Sequence, residues 1–309
     1  MTKVFIDGKA GTTGLRIYDR LGQRDDIELI TLKEEDRKIL KKRVEAINSS
    51  DITFLCLPDA ASVEAVEHAR KDVRIIDTST AHRTNPDWAY GFPELSKDFH
   101  QKIYNSNRIA VPGCHASGFI ALIYPLVKNK IISPDTDLSC TSISGYSGAG
   151  KKAIEIYEGD EKPDLWNAPR EYAIAQQHKH LKEMKAITKI DKAPIFMPII
   201  ADYYSGMLVT VGLHKSQLLE RKSIDDIKEA YSSLYKGNIV KYVEKPDEEG
   251  FVSAKRMSGK DDMQIFVDGN EDRILLLSRY DNLGKGASGA AIECMNLITD
   301  KELTFGLNI

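Results

Sequence analysis

Lys3-Val4-Phe5-Ile6-Asp7-Gly8-Lys9-Ala10-Gly11-Thr12-Thr13-Gly14-Leu15 is the stretch that decides the fold. Its apolar run stops at Gly8, and from about Thr13 the residues Leu15, Ile17, Tyr18 and Leu21 fall on one face of a helix. A strand, a glycine turn and a helix in that order open a βαβ unit. Gly8, Gly11 and Gly14 are spaced G-x-x-G-x-x-G, which departs from the commoner G-x-G-x-x-G. Glycine lets the backbone turn sharply and approach a pyrophosphate, and the helix N-terminus adds free N–H groups and partial positive charge. Thr12 and Thr13 add hydroxyl donors at the same turn. The reading is a dinucleotide site.

Outward from this turn the alternation continues, with strands expected at 27–32, 52–57 and 73–77 and helices at 34–48 and 60–71. Residues 52–57 are apolar without interruption, as a parallel strand covered on both faces should be. The first part is therefore an α/β, Rossmann-type domain with a parallel sheet and right-handed crossovers. After about residue 113 the pattern changes. Strands at 138–144, 206–213, 239–243, 265–268 and 274–280 alternate polar and apolar residues, and helices fall at 119–128, 154–157 and 224–235. That is an α+β domain. From 286 to 298 small apolar residues recur at helical spacing (Ala290, Ala291, Cys294, Leu297), suited to close packing. The expected organisation is a dinucleotide-binding domain, 1–113, completed by the C-terminal helix segment 285–309, and a catalytic and oligomerisation domain, 114–284.

Composition narrows the class. The chain has 309 residues, 42% hydrophobic and 29% charged, with a formal net charge of −3, so neither nucleic acid nor an anionic membrane surface is an expected partner. No apolar run approaches the roughly 20 residues of a membrane span. The stretch 1–14 lacks the basic, apolar and small-residue order of a secretory signal. The four cysteines, at 56, 114, 140 and 294, have no metal-site or disulfide spacing. Reduced thiols and a cytoplasmic location are the expectation.

The end of the second strand bears on the nucleotide. A carboxylate there suits a free ribose 2′-OH, whereas cations suit a 2′-phosphate. The chain reads Thr31-Leu32-Lys33-Glu34-Glu35-Asp36-Arg37-Lys38, and Lys33, Arg37 and Lys38 point to NADP.

Val111-Pro112-Gly113-Cys114-His115-Ala116-Ser117-Gly118 carries the chemistry. Pro-Gly breaks the chain and Cys114 opens a helix, where the dipole and free N–H groups stabilise a thiolate. Cys56, Cys140 and Cys294 lie within apolar patterns and read as core. A thiol nucleophile needs a proton-handling partner. His178 and His180, in Gln177-His178-Lys179-His180-Leu181-Lys182-Glu183, supply it, with Glu183 to orient a ring; a histidine pair at this spacing converges in extended or irregular backbone. No ligand set completes a metal site. His68, His100 and His214 are given no role. Two further stretches suit an anionic substrate: Thr78-Ser79-Thr80-Ala81-His82-Arg83, where Arg83 offers a bidentate fork, and the glycine-rich turn Ser144-Gly145-Tyr146-Ser147-Gly148-Ala149-Gly150-Lys151-Lys152, with its backbone N–H groups and lysines.

These segments together resemble the N-acetyl-γ-glutamyl-phosphate reductases of the shorter type. The matching wording is FIDGKAGTTGL at the start, FLCLPDAAS at 54–62, DTSTAHR at 77–83, VPGCHASG at 111–118, SGYSGAGKK at 144–152, HKHLKEM at 178–184 and YDNLGKGASGAA at 280–291. They span nearly the whole chain in order. The wider fold is shared with aspartate-semialdehyde dehydrogenase. The resemblance implies Cys114 as nucleophile, His178 as acid/base with His180 a close competitor, and Glu183 in support. It implies cofactor contacts from Leu57, Pro58, Ser147, Gly148 and Asn282, and substrate contacts from Ser117, Gly145, Lys151 and Arg83. Around 286–295 the wording GASGAAIECM lacks the family's usual glutamine. The implied reaction reduces an acyl phosphate with NADPH through a thioester, in arginine biosynthesis, by a homo-oligomer (dimer or tetramer). Rivals are the same chemistry on aspartyl phosphate or a carrier-linked aminoadipyl phosphate, a non-catalytic NADP-sensing protein, and an unrelated thiol hydrolase.

Overall fold

The computed structural model describes residues 1–246 and 248–309. Two units emerge, Met1–Pro112 with Ala287–Leu307, and Gly113–Gly286 with Asn308–Ile309.

The first unit begins β1 (Thr2–Asp7), α1 (Thr12–Leu21), β2 (Ile27–Ile30), α2 (Leu40–Ser49), β3 (Ile52–Leu55), α3 (Asp59–His68), β4 (Arg74–Asp77). It continues with β5 (Ala89–Tyr90), α4 (Lys97–Tyr104) and β6 (Arg108–Ala110). The strands form one sheet in the order β2-β1-β3-β4-β6-β5, parallel at every pairing. Side chains alternate across a strand, so Val4 and Ile6 enter one core and Phe5 the other. The first core also takes Ile17, Leu21, Phe54 and Ile76, together with Ala290, Ala291 and Cys294. The opposite core takes Leu55 and Ile75 with Ala46, Ile47 and Ala65.

The helix expected over 34–48 divides. Glu34–Asp36 is a single 3-10 turn, and α2 starts only at Leu40. Residues 33–38 offer no apolar side chain to the sheet, and helices in proteins are stabilised chiefly by packing an apolar face.

The second unit opens with α5 (Cys114–Lys128), followed by β7 (Ser139–Gly145), α6 (Lys151–Glu158), β8 (Arg170–Glu171), α7 (His180–Thr188), β9 (Ile195–Ala201) and β10 (Met207–His214). After these come α8 (Ile224–Leu234), β11 (Val240–Tyr242), β12 (Met263–Gly269) and β13 (Arg273–Tyr280). Its mixed sheet runs β11-β12-β13-β10-β7-β9-β8. The remaining helix, α9 (Gly289–Ile298), is buried along its whole length and belongs to the first unit. β9 escapes a reading by pattern because Pro198 interrupts it, and proline is normally confined to strand ends and sheet edges. The outer neighbour of β9 is only the two-residue β8.

α5 is the central helix of this unit, buried from His115 through Gly118 and beyond. Pro125 lies inside it and removes the N–H that would reach Ala121. The Tyr235 hydroxyl donates to the Ala121 carbonyl instead, at 2.7 Å, and Tyr231 donates to the next carbonyl, Leu122. Tyr235→Phe should therefore lower stability by about 1–3 kcal/mol, the cost of a buried unsatisfied carbonyl. The check is the urea midpoint at unchanged slope; an unshifted midpoint would mean that the carbonyl finds another donor.

Candidate active site

The nucleotide cradle lies in the first unit. Gly8 ends β1 with φ +88°, and a Cβ there would fall inside contact distance of the Cys56 carbonyl. The Gly11 N–H closes the turn on the Gly8 carbonyl at 3.0 Å. Gly11 then caps α1 with extended backbone and no side-chain hydrogen bond, leaving the helix N-terminus to a ligand. Gly14 packs so close that a Cβ would sit 2.5 Å from the Gly8 oxygen. Beside this turn is a cavity of about 730 Å³ lined by Gly8, Lys9, Tyr18, Leu32, Arg37, Lys38 and Leu57 among others. Thr31 and Leu32, just past the end of β2, lie in its wall, and beyond them both acids, Glu34 and Glu35, and both cations, Arg37 and Lys38, line it. The glycine cradle fits a dinucleotide, and Arg37 and Lys38 are the side chains of this mixed-charge wall that suit a 2′-phosphate.

Lys33 is not in that wall: it is exposed at the start of the 3-10 turn, where the divided helix leaves it. Pro58 caps α3 from an exposed position and does not line the cavity either. Lys9, absent from the sequence reading, does, with its ammonium 3.1 Å from the Tyr18 ring centroid. Asp7 at the strand end is paired with Arg43 at 2.8 Å; burial pushes its carboxyl up, against the pull of that guanidinium.

The segment 77–83 is a structural knot rather than an open anion site. Asp77, fully buried, accepts from Ser62 Oγ, the Ser79 N–H and Ser79 Oγ, and pairs with His82 Nδ1 at 2.6 Å. His82 stacks on Trp88 with ring centroids 4.0 Å apart. Arg83, expected to hold substrate, is buried and gives Nε to the Val111 carbonyl at 2.8 Å and Nη2 to Thr78 at 2.9 Å. It fixes the strand end from which the chain runs through Pro112 and Gly113 to Cys114.

In the second unit Cys114 is the first residue of α5. Its N-cap, Gly113, is extended and offers no side chain. The Gly113 N–H is held by Glu183 Oε1 at 2.8 Å, and the Gly113 carbonyl accepts the Ser117 N–H at 2.8 Å. Glu183 thus anchors the turn that presents the thiol. Ser117, expected at the substrate, is fully buried and donates its hydroxyl back to Gly113 at 3.0 Å.

The histidine pair straddles a helix start: α7 begins at His180, leaving His178 in irregular backbone before it. The two rings lie 4.7 Å apart. His178 Nδ1 accepts the His180 N–H at 3.2 Å, which puts the proton of the neutral His178 ring on Nε2. Sequence reasoning missed the third member. His115 is buried 5.6 Å from both rings, with Nδ1 at 2.7 Å from Ser142 Oγ and Nε2 at 2.7 Å from Tyr172 Oη. The available signal was Ser142 and Ser144 on the inward parity of β7, where a purely structural strand places aliphatic residues. Burial, then the neighbouring His178, brings His115 down to about 3; burial, then Lys179, brings His178 down to about 4. Both rings are neutral at pH 7. Neither lends a standing charge to the thiol, and the N-terminus of α5 favours the thiolate.

The glycine-rich turn after β7 is mostly committed. The N–H groups of Gly145, Tyr146 and Ser147 go to the carbonyls of Gly206, Tyr203 and Tyr204. A Cβ on Gly145 would lie 2.6 Å from the Tyr204 oxygen, so this glycine answers to packing and not to substrate. Gly148 and Lys151 are exposed, Lys151 at the start of α6. Asn282 links the turn to the strand beyond, donating to Ser147 Oγ at 2.9 Å and accepting the Gly206 N–H at 2.9 Å. Among the described residues no group of three or more His, Cys, Asp or Glu side chains is arranged to hold a metal ion. Among them, too, no helix is long and apolar enough to cross a membrane.

Comparison with known proteins gives this geometry its lineage. The semialdehyde dehydrogenase dimerisation-domain model matches residues 114–282, and the semialdehyde dehydrogenase NAD-binding-domain model matches 14–103. N-acetyl-gamma-glutamyl-phosphate reductases of Brucella ovis and Brucella melitensis are each 42% identical over 97% of this chain and 99% of theirs. The chain belongs to this reductase family, within the semialdehyde dehydrogenases. The fold is shared with aspartate semialdehyde dehydrogenase of Francisella tularensis (TM-score 0.72, 15% identity, 97% of this chain and 100% of that one). It is shared also with the Candida albicans enzyme solved with NADP (TM-score 0.69, 14% identity, 98% and 99%).

The two depressed imidazoles make stability depend on pH. The unfolded chain binds their protons near pH 6.5 and the folded chain only near 4 and 3. Above 6.5 both states are neutral there and nothing is lost; as pH falls below 6.5 the unfolded state is favoured progressively. His115→Gln should flatten the loss of stability between pH 7 and 4.5 in urea titrations. Equal losses in the variant and the wild type would remove His115 from the account.

Proposed function

We propose that this protein is an NADPH-dependent N-acetyl-γ-glutamyl-phosphate reductase, forming N-acetylglutamate 5-semialdehyde and phosphate in arginine biosynthesis. The observation that carries the proposal is a cysteine at the uncapped N-terminus of a buried helix, in a chain related to these reductases along almost its whole length. Cys114 thiolate attacks the acyl carbon; the S–C bond forms, the bond to the phosphate oxygen breaks, and phosphate leaves a thioester. In the first unit Gly8, Gly11, Thr12, Thr13, Gly14, Arg37, Lys38 and Leu57 would hold NADPH, which would supply the hydride for reduction of this thioester to the aldehyde level; Ser147, Gly148 and Asn282 are the further cofactor residues that the family resemblance implies.

The remaining work belongs to the chain. N–H groups in the first turn of α5, which Gly113 leaves without a side-chain cap, stabilise the oxyanion formed at each addition. His178, with its proton on Nε2, handles the proton as the thiohemiacetal collapses and the thiolate is released; His180 lies against it as the competing candidate. Glu183 supports both by holding Gly113 in place. Lys151 is exposed and suited to steer the anionic substrate. The function belongs to the cytoplasm and to a homo-oligomer, dimer or tetramer, built through the domain that matches the dimerisation model.

The deciding experiment is the reverse reaction, with N-acetylglutamate semialdehyde, phosphate and NADP. Phosphate-dependent formation of reduced nicotinamide supports the assignment; a signal only with aspartate semialdehyde or an aminoadipate semialdehyde would keep the chemistry and change the substrate. Cys114→Ala should abolish turnover while NADP binding persists, and residual turnover would remove the covalent route. His178→Asn should lower kcat more than His180→Asn; the opposite order exchanges their roles. Arg37→Ala should raise KM for NADP by roughly tenfold, about 1.4 kcal/mol of lost binding, and leave KM for NAD unchanged. A parallel rise for both nucleotides would take Arg37 off the 2′-phosphate.

A further inference from the structure

Tyr280, the last residue of β13, ends against the first turn of α5. Its hydroxyl donates to the Cys114 carbonyl and accepts the Gly118 N–H at 3.0 Å. The fit has no slack, since a Cβ on Gly118 would lie 2.7 Å from both the Tyr280 oxygen and Val209 Cγ2. On the other side Gly286 crowds the same cysteine, where a Cβ would come within 3.1 Å of Cys114 Cβ. The Gly286 N–H is tied at 3.1 Å to the carbonyl of Asp281, the residue after Tyr280. The cysteine is therefore held between the end of β13 and the loop that follows it.

Packing alone does not call for this hydroxyl. Cys114 and Gly118 stand four apart in a helix, so their carbonyl and N–H are natural partners for one another. Phenylalanine would fill the same space without a polar group to satisfy. Burial, and then the charge of Cys114, hold the phenol well above its usual range, so it remains a donor wherever the enzyme works.

We propose that Tyr280 is a positioning residue for Cys114, which through the Cys114 carbonyl and the Gly118 N–H fixes the rotation of the first turn of α5 and so the place of the thiol at the helix N-terminus. The inference rests on the reading of Cys114 as nucleophile. It adds a residue whose effect passes entirely through the backbone of the cysteine.

The test is Tyr280→Phe, followed by alkylation of Cys114 with iodoacetamide across pH 5–10, read by mass spectrometry of the Cys114 peptide. This readout needs neither substrate nor cofactor, so it stands apart from the assignment of the reaction. We expect the apparent thiol pKa to rise and alkylation at pH 7 to slow by at least about threefold, as the thiolate loses its alignment with the helix N-terminus. In the reverse reaction kcat should fall by roughly tenfold with KM for phosphate little changed, the mark of lost geometry and not of lost binding. A wild-type alkylation profile would overturn the proposal, whatever happens to Tm. Should the phenylalanine variant not fold, 3-fluorotyrosine at 280 serves instead. Its more acidic phenol is the stronger donor and should shift the alkylation profile the opposite way; an unshifted profile would overturn the proposal equally.

Discussion

The buried carboxylate of Glu183 accepts the N–H of Gly113, and through that one hydrogen bond α7 fixes the chain at the residue before the nucleophile. Glycine at that place has no side chain with which to cap α5. A serine or aspartate there would direct its oxygen at the very N–H groups that a thiolate or an oxyanion requires. The carboxylate approaches from outside the helix and holds the backbone without occupying the site. Two residues on from Gly113, in the same turn, His115 reaches Ser142 and Tyr172.

The same device occurs twice. Gly11 precedes α1 at φ −78°, ψ 161°, and Gly113 precedes α5 at φ −75°, ψ 146°, both without a capping side chain. One helix end faces the cradle suited to a pyrophosphate, and the other carries a sulfur that must become an anion. In both units the protein leaves backbone donors unpaired by its own side chains and lets the negative charge of the reaction satisfy them. The imidazoles around Cys114 are consistent with that arrangement. Held neutral by burial, they exchange or hold a proton without competing as fixed cations.

What could be read from the sequence was whatever depends on local pattern. The run from Lys3 to Leu15 announces strand, turn and helix because each is dictated by neighbours, and Cys114 stands out because Pro112 and Gly113 stop the chain before it. What could not be read depends on which polar group a fold leaves over. Arg83 and Ser117 have the side chains of substrate ligands, yet backbone carbonyls claim them first. His115 follows the cysteine in plain sight, but its partners lie 27 and 57 residues away along the chain. The acidic run 34–36 looks helical by composition and lacks the apolar face that would make it so.

Tyr280, the last residue of β13, and the two residues after it bind several separate stretches of the second unit. Tyr280 takes the start of α5, Asp281 takes Ser205, Gly259 and Leu283, and Asn282 takes Ser147 and Gly206. Because the three follow one another directly along the chain, a single residue gained or lost just before them would shift all three from their partners at once. Substitutions in this segment can be compensated one contact at a time, but a change of length cannot. The spacing of Tyr280, Asp281 and Asn282 is accordingly a ruler that descendants of this chain must keep even where they alter the residues themselves.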